Sequence, residues 1–178
     1  MVSTLSSLRL TLKEIAREDI PDLHKKNSNR AVEEFNTIGI PESIKQTEEY
    51  YLPVIEDRSK SIRTKFGWTI IEKNTNAFIG ETGLILAAER FRMGEIHYSL
   101  LPEFWGRGYA TEAVKTVISF AFKKLGLHRI EAGVATENLR SIRLLENMGF
   151  TREGTRRKIL PIRGEWKDNF HYALLDED

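Results

Sequence analysis

Between positions 110 and 125 the residues Ala110, Ala113, Val114, Val117, Ile118, Ala121, Phe122 and Leu125 recur at offsets 0, 3, 4, 7, 8, 11, 12 and 15. That spacing places all of them on one face of an α-helix, which must bury the face against another layer. Gly126 stands at a C′ position and stops the helix. Just before it runs Trp105-Gly106-Arg107-Gly108-Tyr109-Ala110-Thr111. The small residues at 106, 108 and 110 let the backbone approach a ligand closely. The helix behind them aims unpaired N–H groups and the positive end of its dipole at the same point, so an anion fits there.

The rest of the chain supplies the layer. Leu8, Leu10 and Leu12 alternate with Arg9, Thr11 and Lys13, a first strand, and residues 17–26 follow as a helix with an acidic first turn. Pro41 opens a second helix that runs to about residue 57 and carries Glu42, Glu48, Glu49, Glu56 and Asp57 beside Tyr50 and Tyr51. Residues 67–72 and 77–87 read as a hairpin joined through Lys73-Asn74-Thr75-Asn76. From 93 to 100 Ile96, Tyr98 and Leu100 face one way and Glu95, His97 and Ser99 the other, and Pro102 ends the strand. A strand at 128–135, a short helix at 139–148 followed by Gly149, and two strands at 150–160 and 165–175 joined through Arg163-Gly164 complete the order. That order predicts an α/β protein with a mixed, mostly antiparallel central sheet of seven strands and four helices.

A length of 178 residues, with 40% hydrophobic residues, suits one domain spanning 1–178. Lys and Arg number 27 against 26 Asp and Glu, so no global field draws the chain to nucleic acid or to anionic lipid. The basic group Arg152, Arg156, Arg157 and Lys158 has no interleaved aromatics and reads as a solvated face. Cysteine is absent, which excludes disulfides, thiolate nucleophiles and Cys-ligated zinc. The four histidines, His24, His97, His128 and His171, have no metal-ligand spacing, and no metal is expected. Met1 to Arg9 is polar, and no apolar run approaches the roughly 18 residues of a membrane span, so a cytoplasmic protein with no membrane partner is expected.

Two phosphate motifs compete for these glycines, and spacing rejects both. A dinucleotide fingerprint needs a third glycine where Thr111 stands. The run from Gly149 to Gly154 has P-loop spacing, yet Thr155 occupies the lysine position and a helix ends just before it. The segment from Pro102 to Ala113 instead resembles the acetyl-CoA pyrophosphate loop of the GNAT N-acetyltransferases. Their pattern Gln/Arg-x-x-Gly-x-Gly/Ala falls on Trp105, Gly108 and Ala110, with Trp105 as the departure. Trp at that place is usual in the branch resembling ribosomal-protein N-terminal acetyltransferases. A second block, Asn138 to Phe150, is similar to the family's Asn-x-x-Ser...Gly-Phe segment.

The resemblance implies a GNAT fold and direct acetyl transfer from acetyl-CoA to a primary amine, a peptide or protein N-terminal α-amine before a small-molecule amine. It implies cofactor contacts from Leu100, Leu101, Trp105, Gly106, Arg107, Gly108, Tyr109, Ala110, Thr111 and Asn138. Among basic side chains, Arg107 is expected to meet CoA phosphates before Lys115, Arg140 or Arg143. The chemistry needs a base for the amine, and Glu95 matches the catalytic glutamate of the histone-acetylating branch to within one residue. His97, on the same strand face, is a relay candidate. Ser141 is the expected hydrogen-bond donor to the departing thiolate. Asn138 also reads as the N-cap of its helix. Many relatives carry a tyrosine acid where this chain has Leu145, which leaves that tyrosine mechanism without its residue. The acidic, aromatic segment 42–57, preceded by Phe35, resembles the family's substrate-covering helices. A monomer or homodimer is expected. The rival from another class is a CoA-binding sensor that keeps the loop and turns nothing over.

Overall fold

A computed structural model describes residues 4–178; Met1 to Ser3, the start of the polar N-terminal stretch, lie outside the described residues. The chain runs β1 (Leu5–Ser6), β2 (Leu10–Glu14), α1 (Ile20–Asn27), α2 (Arg30–Glu33), α3 (Ile44–Asp57), β3 (Lys65–Glu72) and β4 (Phe78–Leu86). It continues through β5 (Met93–Leu100), α4 (Tyr109–Lys123), β6 (Arg129–Ala135), α5 (Leu139–Asn147), β7 (Thr151–Ile162) and β8 (Glu165–Leu175). One eight-stranded sheet has the order β1-β2-β3-β4-β5-β6-β8-β7. Every neighbouring pair is antiparallel except β5 with β6.

The apolar stripe of α4 buries Ala113, Val114, Val117 and Ala121 against Leu10, Leu12, Trp68, Ile70, Leu84 and Ile96 on one side of the sheet. Trp68 stacks on Phe66 with centroids 5.9 Å apart and meets the edge of Phe120 at 5.6 Å. The other side is closed by a smaller cluster of Ile15, Ile20, Leu23 and Tyr51, contributed by α1, α3 and the chain between β2 and α1. Central strands β3 and β4 are therefore covered on both sides, and their residues are almost all buried.

The expected sheet and helices are present, with differences that have local causes. Leu8 is 89% exposed and lies before the strand, whose alternation begins only at Leu10. Pro41 lies outside α3: Ser43 wins the N-cap, its Oγ accepting the Gln46 N–H at 3.2 Å. Helix α4 ends at Lys123, with Gly126 at φ 64° two residues beyond the Lys124 cap. Strand β1, of two residues, and helix α2, of four, are too short to show a period.

The feature that makes the site is a split in the sheet. Strands β5 and β6 pair only through Met93↔Arg129, Gly94↔Ile130 and Glu95↔Glu131. Beyond Glu95 strand β5 stays with β4 as far as Leu100, while β6 stays with β8 as far as Ala135. The two halves diverge, and among the described residues the β6-facing main chain of β5 after Glu95 has no strand partner.

Candidate active site

The pyrophosphate-type loop sits at the end of β5. A single 3-10 turn, Pro102–Phe104, leads into Gly106 and Gly108, at φ 72° and 78°, and Gly108 is the N-cap of α4. A Cβ on Gly106 would meet open space, so the backbone at this point faces outward with nothing over it. Among the described residues no protein group accepts from the N–H groups of Gly106, Arg107, Gly108, Tyr109, Ala110 or Thr111. Successive free N–H groups at the positive end of a 15-residue helix form an anion cradle.

The cradle is braced from a distant part of the sequence. Glu112, in the first turn of α4, accepts from Ser7 Oγ, the Arg9 N–H and Arg9 Nε, each at 2.7 Å. Arg9 also donates from Nη1 to the Arg107 carbonyl at 3.0 Å, and its guanidinium lies 4.4 Å from the Tyr109 ring centroid. Burial alone would raise the Glu112 pKa, but the Arg9 N–H, the Ser7 hydroxyl and the Arg9 guanidinium together hold it below the usual carboxylate value. A carboxyl depressed in the folded state adds stability that is present above its unfolded pKa, about 4.3, and is lost as pH falls through the folded value. Below about pH 4.3, Glu112→Gln is therefore expected to lose less stability than the parent chain, as read from urea midpoints. An equal loss in both proteins would contradict the clamp.

A cleft of about 470 Å³ opens beside the cradle. Leu100, Trp105, Gly106, Gly108, Tyr109, Ala110, Thr111, Asn138 and Ser141 line it, which brings nine of the expected site residues to one place. Leu101 is buried behind the wall, its N–H donating to Ile79 O, and does not line the cleft. Arg107 is also outside: its guanidinium stands 5.9 Å from the Phe104 ring centroid, and its carbonyl serves the brace. The basic side chains that do line the cleft are Arg140 and Arg143 of α5. Arg140 lies over Trp105 at 4.0 Å, and Trp105 donates from its indole N–H to Leu100 O at 2.8 Å. Trp105 thus ties the loop to the strand end and to α5.

A second cavity of about 290 Å³ continues into the split between β5 and β6. Glu95, His97 and Glu81 line it, together with Ala132 to Ala135 of β6 and Phe35, Asn36 and Ile38 from the chain after α2. His97 is reachable from the cavity but crowded by protein, because its ring lies across Gly83 of β4, where a Cβ would fall 2.3 Å from Cε1. Although the ring is exposed to the cavity, desolvation by the protein packed around it lowers its pKa, with Glu81 opposing and Lys26 adding, which favours the neutral imidazole. Glu81 forms a buried ion pair with Lys26 at 2.5 Å. Burial works against its charge, but Lys26 outweighs it, with help from the Tyr51 hydroxyl, and holds the carboxylate ionised. Glu95 is exposed and, among the described residues, has no ion-pair or hydrogen-bond partner. Of the acidic segment 42–57 only Tyr50 reaches this cavity: Glu48 pairs with Arg17, Glu49 with Lys45 and Asp57 with Lys60.

The two cavities meet at Phe35, Asn36, Tyr98, Ser99, Asn138 and Ser141. Asn138 is the N-cap of α5, its Oδ1 accepting the Ser141 N–H at 3.2 Å. Leu145 is buried, and α5 contains no tyrosine. A phenol reaches the junction from β5 instead, with Tyr98 Oη and Ser141 Oγ 2.6 Å apart. Sequence alternation grouped Tyr98 with the apolar Ile96 and Leu100, and no local signal distinguished its hydroxyl.

The acetyltransferase (GNAT) domain family matches residues 9–151. The chain belongs to the GNAT acetyltransferases. This GNAT enzyme is 33% identical over 177 residues, 98% of each chain, to the uncharacterized N-acetyltransferase YoaA of Bacillus subtilis. Among solved structures, the spermidine N-acetyltransferase of Vibrio cholerae in complex with CoA and spermine superposes with a TM-score of 0.83 at 27% identity, covering 95% of this chain and 96% of that one. The ribosomal-protein-S5-alanine acetyltransferase of Vibrio fischeri gives a TM-score of 0.85 at 23% identity over 99% and 98% of the two chains, a likeness of fold. The GNAT enzyme uses acetyl-CoA, and the cradle and cleft described above fit a diphosphate followed by an extended chain. Among the described residues no group of three or more His, Cys, Asp or Glu side chains could hold a metal, and no helix is long and apolar enough to cross a membrane.

Proposed function

We propose that the enzyme acetylates a primary amine carrying a single positive charge, with a peptide or protein N-terminal α-amine as the preferred class. The observation that carries this reading is the charge of the second cavity. Its only carboxylates are Glu81 and Glu95, and Lys26 already neutralises Glu81. One unpaired carboxylate suits one ammonium, whereas a polyamine brings several. An α-amine, with a pKa near 7.7 to 8.0, also gives up its proton far more readily than a lysine near 10.4.

In this reading the diphosphate rests on the N–H groups of residues 106–111 and the pantetheine follows the unpaired edge of β5 into the split. Glu95 takes the amine proton directly or through a water, and His97 stands on the same strand face as a relay. The nitrogen attacks the thioester carbonyl without a covalent enzyme intermediate. Asn138 holds the first turn of α5 so that Ser141 meets the sulfur. A small-molecule amine is the second reading, supported by the spermidine-acetylating relative, which is 29% identical over 90% of this chain.

Incubation with acetyl-CoA and a panel of N-terminal peptides, spermidine and simple monoamines, with CoA thiol release measured, tests the choice. Faster release with peptides or monoamines than with spermidine is expected. A preference for spermidine would move the assignment to polyamines, and binding of acetyl-CoA with no release on any acceptor would make the protein a CoA-binding module.

A further inference from the structure

We propose that Tyr98 is a positioning residue for acetyl transfer: its phenolic O–H donates to Ser141 Oγ and so turns the serine proton toward the sulfur that leaves acetyl-CoA. The inference rests on the assignment of Ser141 to the thiolate made above. Both residues line both cavities, so their hydrogen bond lies where cofactor and acceptor cavities join.

Three features make the pair directional. The Tyr98 ring packs against the main core, which fixes where the phenol stands. Ser141 is fixed from the other side, because its own N–H is held by Asn138. Between the two hydroxyls, the phenol is the more acidic and therefore the donor, which leaves the single serine proton free to point into the cleft. Burial pushes the Tyr98 hydroxyl up to about 12, with the Ser141 hydrogen bond opposing, so it stays protonated and a donor throughout the neutral range. A free serine hydroxyl at this place would have its rotor open, and the phenol removes that freedom.

The step balances without moving a proton along the pair. The amine nitrogen forms the N–C bond and its proton passes to Glu95 or to water. The C–S bond breaks with its electron pair on sulfur, and the Ser141 O–H, polarised by Tyr98, meets the new charge. Charge-assisted hydrogen bonds of this kind are stronger than neutral ones. Neither hydroxyl is deprotonated, and the sulfur collects its proton from solvent as CoA departs.

The test uses CoA alone and needs no acceptor. Calorimetric affinity of the full chain for CoA, measured from about pH 6 to about pH 10, gives the thiol pKa in the bound state. Tyr98→Phe keeps the ring and its packing. The bound thiol is expected to titrate about one unit higher in Tyr98→Phe than in the parent, a tenfold loss of preference for thiolate, and at least as much higher in Ser141→Ala. In the double variant the value should equal that of Ser141→Ala. A purely structural role for Tyr98 would lower thermal stability and leave the thiol pKa unmoved, and that outcome would overturn the proposal. An undiminished Tyr98→Phe effect in the Ser141→Ala background would also overturn it, since the phenol would then act directly. No shift in Ser141→Ala would remove the serine from the sulfur, and failure of the parent chain to bind CoA would remove the acetyl-transfer reading itself.

Discussion

Gly108→Val is expected to weaken acetyl-CoA binding by at least about 100-fold, equivalent to about 2.7 kcal/mol, while the chain remains folded. Gly108 holds φ 78° at the N-cap of α4, a conformation that a β-branched residue adopts only with strain of about 1–2 kcal/mol. A Cβ there meets only Arg9 Nη2, at 3.4 Å, so the protein interior does not reject the side chain. The damage falls on the cradle: the added side chain would press on the Arg9 guanidinium that braces the loop, and relief of the strained φ would turn the N–H groups away from the diphosphate. Calorimetric titration with acetyl-CoA, beside far-ultraviolet circular dichroism to confirm folding, reads the effect. An unchanged affinity would mean that the diphosphate binds elsewhere.

Glu95→Gln should lower turnover by about 100- to 10,000-fold, the usual contribution of a positioned general base, with acetyl-CoA affinity unaltered. The separation of the two effects follows from geometry, because Glu95 lines the second cavity and not the cleft beside the cradle. It stands at the last β5–β6 pair, where the split begins. Steady-state kinetics with the best acceptor of the panel, together with the same calorimetry, would establish the split between turnover and affinity. A fall of less than about threefold would transfer the base to His97 or to an ordered water.

The parts of this site that depend on local chemistry were legible in the sequence. The period of α4, the glycines before it and the Asn138 cap each involve residues within a few positions of one another, and each is where the spacing placed it. What required the fold was anything set by distant partners. The Lys26–Glu81 pair that sets the charge of the second cavity joins residues 55 positions apart, and the Arg9–Glu112 brace spans 103. Arginine choice shows the same limit: Arg107 sits in the motif yet points to Phe104, whereas Arg140 and Arg143 enter the cleft because α5 presents that face. Tyr98 was grouped with Ile96 and Leu100 by a two-residue period that reports burial and says nothing of a hydroxyl. The split itself has no sequence signature, since β5 and β6 each look like ordinary half-buried strands until their pairing stops.

A crystal structure of the protein soaked with acetyl-CoA would test the account at its centre. The diphosphate should lie against the N–H groups of Gly106 to Thr111, with the thioester sulfur within hydrogen-bond reach of Ser141 Oγ and the carbonyl opening toward Glu95. A diphosphate held away from that loop, or a thioester outside the gap between β5 and β6, would contradict it.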